Sequence, residues 1–267
     1  MTVEVKVVEL IIKDRIAILS LNRPDSLNAL NIELLQQLVQ CLKEVKESEV
    51  DFLVLKGNGR VFSAGGDIKM MMEPNHAATF EQIMDLINEA VLTLYSLPQM
   101  TICALHGAAA GLGLSLALAA DYIIAEQRTK IAMNFIGIAL IPDGGGHFFL
   151  EKRIGEHRAK QLIWKGETLS AAEAYKIGII DEIKEGDLTS AVEEYLSYWL
   201  KKPALALKET KNIYVETSIE QLKQVLRLEK QAQASMSKSK DHQEGIEAFL
   251  AKRVPVFNQH SKDISEN

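Results

Sequence analysis

Two hydrophobic rhythms run along the first half of the chain. Residues 3–10 (VEVKVVEL) and 15–22 (RIAILSLN) are short and rich in β-branched side chains, with Lys13-Asp14 between them, which predicts two strands joined by a turn. Arg23-Pro24-Asp25 ends the second strand. Over residues 32–47 the spacing becomes helical: Leu34, Leu35, Leu38, Val39, Leu42 and Val45 share one side, with Asn31 as the N-cap. Phe52–Lys56 predicts a short buried strand that stops at Gly57-Asn58-Gly59. A helix over about 79–97 ends before Pro98, Met100–Leu105 predicts a strand, and a further helix runs from about Leu112 to Ala120. Tyr122–Ala125 predicts the next strand.

Strands alternating with helices at this spacing indicate an α/β architecture. A β–loop–β–α unit recurs in pattern, although no sequence repeat accompanies it. After Ile183 the pattern is almost purely helical, with helices predicted near 187–201, 203–214, 218–235 and 239–251. Lys201-Lys202-Pro203 marks an expected boundary, giving a core over 1–202 and a helical region over 203–267. Residues after about His260 are polar, as expected of a frayed end.

Composition narrows the options. A chain of 267 residues with 47% hydrophobic positions can bury a large core, as one domain or as a core with an appendage. The net charge is −6 and the basic residues are scattered, so no nucleic-acid partner is expected. Cys41 and Cys103 have neither CxxC spacing nor His-rich surroundings, which predicts no disulfide frame, no metal site and a cytoplasmic setting. The N-terminus lacks the apolar stretch of a signal peptide. Leu97 to Ala120 is apolar enough to raise a membrane span, and it contains Gly107-xxx-Gly111. Pro98, Gln99, His106 and three glycines interrupt it, so a buried turn and helix is the expectation and no membrane partner is predicted.

Two glycine-containing loops are candidates for chemistry. Phe62-Ser63-Ala64-Gly65-Gly66-Asp67 follows a predicted strand with small residues that allow a ligand close to the backbone, or else forms a plain loop with Asp67 capping a helix. Gly111-Leu112-Gly113 opens a helix, where N–H groups without intrahelical acceptors stabilise developing negative charge. A dinucleotide fingerprint needs a glycine where Leu116 stands.

Taken together these loops resemble the oxyanion hole of the enoyl-CoA hydratase/isomerase, or crotonase, superfamily. The resemblance extends over nearly the whole chain: Leu21–Leu30 (LNRPDSLNAL), Phe62–Lys69, His106–Asp121, Gly166–Asp181 (GETLSAAEAYKIGIID) and Glu244–Arg253 all match family motifs. It implies a crotonase-type spiral of β-β-α units with a C-terminal α-helical trimerisation region, and a homotrimer or dimer of trimers. It places the oxyanion donors on the N–H groups of Gly66 and Leu112. Leu112 replaces the usual glycine, a change that a backbone donor tolerates if its φ is negative. Contacts with coenzyme A are implied around Asn28-Ala29, at Ala64 and over Gly66, Asp67, Ile68 and Lys69. Phe249 and Lys252 match positions that reach a neighbouring subunit's coenzyme A; for Lys252 a solvated helix charge is the other reading. No cofactor is expected, since coenzyme A belongs to the acyl-CoA substrate.

The two glutamates of a typical hydratase fall on Ser115 and Phe135. Hydration of a 2-enoyl thioester needs an activated water at C3 and a proton for C2. Phe135 cannot hold a water and is expected to line the acyl pocket, while the Ser115 hydroxyl is a weak base and reads as a small helix residue. Asp143, in Pro142-Asp143-Gly144, remains as a candidate acid, although the same tripeptide is a common turn. Enoyl-CoA isomerases of the peroxisomal type and ring-epoxide isomerases acting on phenylacetyl-CoA derivatives carry an acid in this context. A 1,3-proton shift needs only one base on one face, and an apolar wall such as Phe135 and Phe148 is expected to raise its pKa. His106 and His147 read as structural.

The expected activity is therefore an acyl-CoA isomerase moving a double bond from the 3- to the 2-position, or isomerising a related thioester, with Asp143, Gly66 and Leu112 carrying the chemistry. Alternatives are an enoyl-CoA hydratase and, in another class, an acyl-CoA-binding protein without turnover. Met70, Met71, Met72, Met84 and Met133 are candidates for a soft apolar pocket or for core packing.

Overall fold

The computed structural model describes residues 6–71 and 76–259. In chain order the elements are β1 (Val8–Lys13), β2 (Ile16–Leu21), α1 (Ile32–Glu47), β3 (Phe52–Gly57), α2 (Ile68–Met71) and α3 (His76–Tyr95). Then come β4 (Met100–Leu105), β5 (Ala108–Ala110), α4 (Leu112–Leu118), β6 (Tyr122–Glu126) and β7 (Lys130–Ala132). They are followed by α5 (Gly146–Ile154), α6 (Glu156–Lys165), β8 (Thr168–Ser170), α7 (Ala171–Ile177) and β9 (Glu182–Lys184). The chain closes with α8 (Leu188–Trp199), α9 (Ala204–Glu216), α10 (Ile219–Met236) and α11 (Lys240–Leu250).

The main sheet has the order β1-β2-β3-β4-β6-β9, antiparallel only between β1 and β2. A smaller sheet runs β5-β7-β8. Parallel strands covered on both faces are apolar throughout rather than alternating, and β3 obeys this: Leu53 and Leu55 join the larger core under α1 and α3, while Phe52 and Val54 face Val192 and Leu196 of α8. The Asn31 side chain accepts from Leu34 N–H at 2.9 Å, and the six apolar side chains expected on one side of α1 are all buried. Each such side chain contributes about 1.5–3 kcal/mol against the entropy of ordering the helix.

The first strand is displaced from its expected position: pairing runs from Val8↔Leu21 to Lys13↔Ile16, so Lys13 is paired and the turn is Asp14-Arg15. Asp14 takes φ 53°, a left-handed conformation that aspartate tolerates better than most residues. Residues 3–5 of that expected strand lie outside the described residues. The strands β5, β7 and β8, of three residues each, are too short to show a period of two and were not predicted. The later helices match expectation within about two residues, and Lys211 of α9, buried, ties that region to the sheet through Asp121 (2.7 Å) and the Gln99 carbonyl (2.8 Å). No helix among the described residues is long and apolar enough to cross a membrane.

Candidate active site

The loops after β3 and β4 are sewn together beyond the carboxyl ends of two adjacent parallel strands, where α/β sheets commonly bind ligands. Ser63 N–H donates to the Ala108 carbonyl and Ala110 N–H to the Ser63 carbonyl, both at 3.1 Å. The Ser63 hydroxyl also donates to the Asn28 carbonyl at 2.8 Å. Gly65 has φ +99°, and a Cβ there would lie 2.8 Å from the Ala110 carbonyl oxygen and 3.5 Å from Leu112 N. Only glycine permits this approach. Neither Gly66 N–H nor Leu112 N–H donates a hydrogen bond among the described residues. Leu112 is the first residue of α4, so its N–H has no intrahelical acceptor, and its φ is not positive. The replacement of glycine by leucine thus leaves the backbone donor intact.

Asp143, 8% exposed, stands in the turn that leads into α5. Its Oδ2 accepts from Gln233 Nε2 at 3.0 Å, and its Oδ1 makes no hydrogen bond. Burial, aided by the negative charge of Glu229, pushes its pKa up to about 7. The expected apolar wall is therefore only part of the cause. Phe148 does not line the cavity; it packs edge-to-face against Tyr95 and Phe149 in the core.

Gly66, Leu112 and Asp143 line one cavity of about 190 Å³. Ala64, Gly66, Ile68, Leu112, Phe135, Asp143 and Phe249 line it, along with Met70 and Met84. Phe249, 56% exposed, sits on the cavity of its own chain, whereas the resemblance implies reach toward a neighbour's. Met133 is buried outside the lining, the side chain of Met71 is not described, and Met72 lies outside the described residues.

Other expected ligand contacts have different surroundings. The Asn28 side chain is buried and fully used: Oδ1 accepts from Arg23 N–H, and Nδ2 donates to the Asn58 and Val61 carbonyls, all at 2.9 Å. It clamps the loop and leaves only backbone atoms for a ligand. Asp67 pairs with Arg23 at 3.0 Å and accepts from Lys69 N–H at 3.2 Å, which is the capping role its position allows. The Ala29 carbonyl accepts from Arg23 as well. Lys69 and Lys252 are exposed and do not line the cavity.

Ser115 is fully buried and away from the lining. A Cβ on Gly144 would lie 3.3 Å from its Cβ, and one on Gly146 would lie 3.0 Å from its Oγ, so the site is closed around a small residue. His106 Nε2 bonds the Gly59 carbonyl at 3.0 Å, as befits a structural residue.

Sequence reasoning missed Glu229, Gln233 and His242. Glu229, 3% exposed, accepts from Gly145 N–H (2.7 Å) and His147 N–H (3.2 Å) and pairs with His147 Nδ1 (2.7 Å). Gln233 and His242 line the cavity, and His242 Nδ1 bonds the Ile138 carbonyl at 2.8 Å. A signal was present in α10, where Leu222, Leu226, Glu229 and Gln233 form one buried stripe. Polar residues continuing an apolar face are what a buried functional contact looks like. Among the described residues no group of three or more metal-ligating side chains occurs.

The family model for enoyl-CoA hydratase/isomerase matches residues 12–260. The chain belongs to this family. YhaR of Bacillus subtilis strain 168, named for the same family, is 50% identical over 91% of this chain and 95% of its own. The 1,2-epoxyphenylacetyl-CoA isomerase of Escherichia coli K12 is 36% identical, covering 90% of this chain and 93% of that one. The crystal structure of an enoyl-CoA hydratase from Mycobacterium avium subsp. paratuberculosis K-10 superimposes with a TM-score of 0.87 at 30% identity, covering 95% and 99% of the two chains. The fold is accordingly the α/β crotonase fold with C-terminal helices, and the protein is an enzyme of the hydratase/isomerase family acting on acyl-CoA thioesters.

Proposed function

We propose that the enzyme is an acyl-CoA isomerase in which Asp143 is the only acid/base and Gly66 and Leu112 N–H groups hold the thioester oxygen. With a 3-enoyl thioester, the Asp143 carboxylate removes a C2 proton and the electron pair moves onto the thioester oxygen as a dienolate. The two N–H groups stabilise that charge, and donors of this kind are each worth about 3 kcal/mol in a transition state. Collapse of the dienolate takes the proton back from Asp143 at C4, leaving a 2-enoyl thioester and the original carboxylate. A pKa near neutrality suits a base that must also return its proton.

The observation that carries this reading is the pairing of a buried Asp143 in the cavity with Ser115 closed off behind Gly144 and Gly146. A second carboxylate at position 115 has no room, and Phe135 presents an aromatic ring at the other expected place. The coenzyme A contacts expected at Ala29, Asn28 and residues 64–69 are proposed to be made largely by backbone, since the Asn28 and Asp67 side chains are already engaged. Lys69 and Lys252, both exposed, are free to meet phosphate.

We further propose that residues 203–267 form an oligomerisation region and that the enzyme is trimer-based. Leu205, Ile213, Tyr214 and Leu228 in α9 and α10 are exposed apolar side chains in support. A cytoplasmic setting fits two free cysteines, one of them buried with its thiol pushed up by burial. The test of the activity is a side-by-side panel of 2-enoyl-, 3-enoyl- and ring-epoxide acyl-CoA esters. Conversion of a 3-enoyl or ring-epoxide ester with little hydration is expected, and efficient hydration of a 2-enoyl ester would replace isomerase with hydratase.

A further inference from the structure

Asp143 is held from outside the α/β core, by two residues one turn apart on α10. Glu229 accepts the N–H groups of Gly145 and His147, which flank the first residue of α5, and so fixes the chain immediately after Asp143. Its third contact, His147 Nδ1, adds a partner whose ring is partly exposed. Gln233 then reaches the carboxylate itself, and its Nε2 engages Oδ2 while Oδ1 is buried without a partner. A donor on one oxygen favours the charged form of the carboxylate, while burial of the other without a partner disfavours it.

We propose that Glu229 and Gln233 are positioning residues for Asp143, fixing its turn and one of its carboxylate oxygens and thereby setting its proton affinity. The inference rests on Asp143 being the acid/base. Glu229 does not line the cavity, so it acts through Asp143 rather than on substrate. It also opposes ionisation of Asp143 by charge, while His147 and Gln233 favour it. The other surroundings are Leu112 and Ser115 of α4 and Ile87 of α3, all uncharged beside Gly144, with His242 of α11 on the cavity wall. The helical region would then set the proton affinity of a residue in the core, and the three contacts make opposite predictions for different substitutions.

The experiment follows the titration of Asp143 in the unliganded enzyme by carboxyl-carbon NMR of labelled aspartate, assigned with Asp143→Asn, beside the pH profile of kcat/KM. Glu229→Gln keeps an acceptor for the turn and removes the charge, so the midpoint should fall by about one pH unit. His147→Ala unmasks Glu229 and Gln233→Met removes the donor, so each should raise it. A structural role alone moves melting temperature and leaves the midpoint in place, and an unmoved midpoint in all three would overturn the proposal. If Glu229→Gln does not fold, the two opposite variants decide alone. Normal turnover in Asp143→Asn would defeat the acid/base reading, with the titration results still reporting separately on what holds Asp143.

Discussion

The two walls of the cavity are made in different ways. One is backbone: Gly66 and Leu112 N–H groups, brought close because Gly65 has no side chain and Ser63 bridges the two loops. The other is side chain: Asp143, buried, held by Gln233 and by the turn that Glu229 fixes. A backbone wall tolerates a change of residue type wherever the main-chain conformation survives, which is why leucine can stand at position 112. A side-chain wall tolerates almost none. It keeps a carboxylate out of water, at a cost in stability that grows once the group ionises.

Substitution at Asp143 should separate the walls most sharply. Asp143→Asn retains the turn and removes the base, so turnover of the active ester should fall about 10²–10⁴-fold while ligand binding persists. Stability should move the other way. A folded-state pKa raised to about 7, from 3.8, contributes stability that is fully present below the lower value and lost as pH rises through the higher one. At pH 8 the ionised carboxylate therefore costs up to about 4 kcal/mol, and the asparagine variant should melt higher than wild type there but not at pH 4. Thermal scans at both values check the sign; a lower melting temperature at pH 8 would make Asp143 a turn residue.

On the backbone wall the corresponding change is Gly65→Ala. Its Cβ would press on the Ala110 carbonyl at a left-handed φ, so the two N–H groups should separate and kcat should fall about 10²-fold. Arg60→Lys, an exposed position in the same loop that does not line the cavity, should have little effect. Equal losses from both would show that the loop is sensitive throughout rather than at the point of approach.

Ser115 sharpens the contrast from behind. Hydration of crotonyl-CoA should be at least about 10²-fold slower than by an enzyme with two glutamates. Ser115→Glu should not restore it, because the added carboxylate meets Gly144 and Gly146 and is expected to cost about 1–3 kcal/mol in overpacking. Gain of hydration by a well-folded Ser115→Glu enzyme, measured beside its melting temperature, would contradict the closed geometry around this residue.

The same division explains what could be read from the sequence. Backbone sites leave glycines and small residues at fixed spacing, so Gly65-Gly66 and Gly111-Leu112-Gly113 were visible as loops after strands. Asp143 was visible as an acid in a turn, but not its burial. Glu229 and Gln233 lie some 90 residues later on an amphipathic helix, and nothing local ties them to Asp143. Asn28 and Asp67 illustrate the converse. Their motif was legible, while the bonds that occupy their side chains form only once Arg23, Asn58 and Val61 are brought together by folding. The short strands β5, β7 and β8 were hidden because three residues carry no periodicity.

Proton transfer by one buried carboxylate with a near-neutral pKa is read most directly in the pH dependence of kcat/KM for a 3-enoyl-CoA. The base form is the active one, so the wild-type profile should rise through a midpoint near 7 to a plateau, and the residual activity of Asp143→Asn should lack that rise. A wild-type profile flat from pH 5 to 9, or the same inflection in the asparagine variant, would rule out Asp143 as the base.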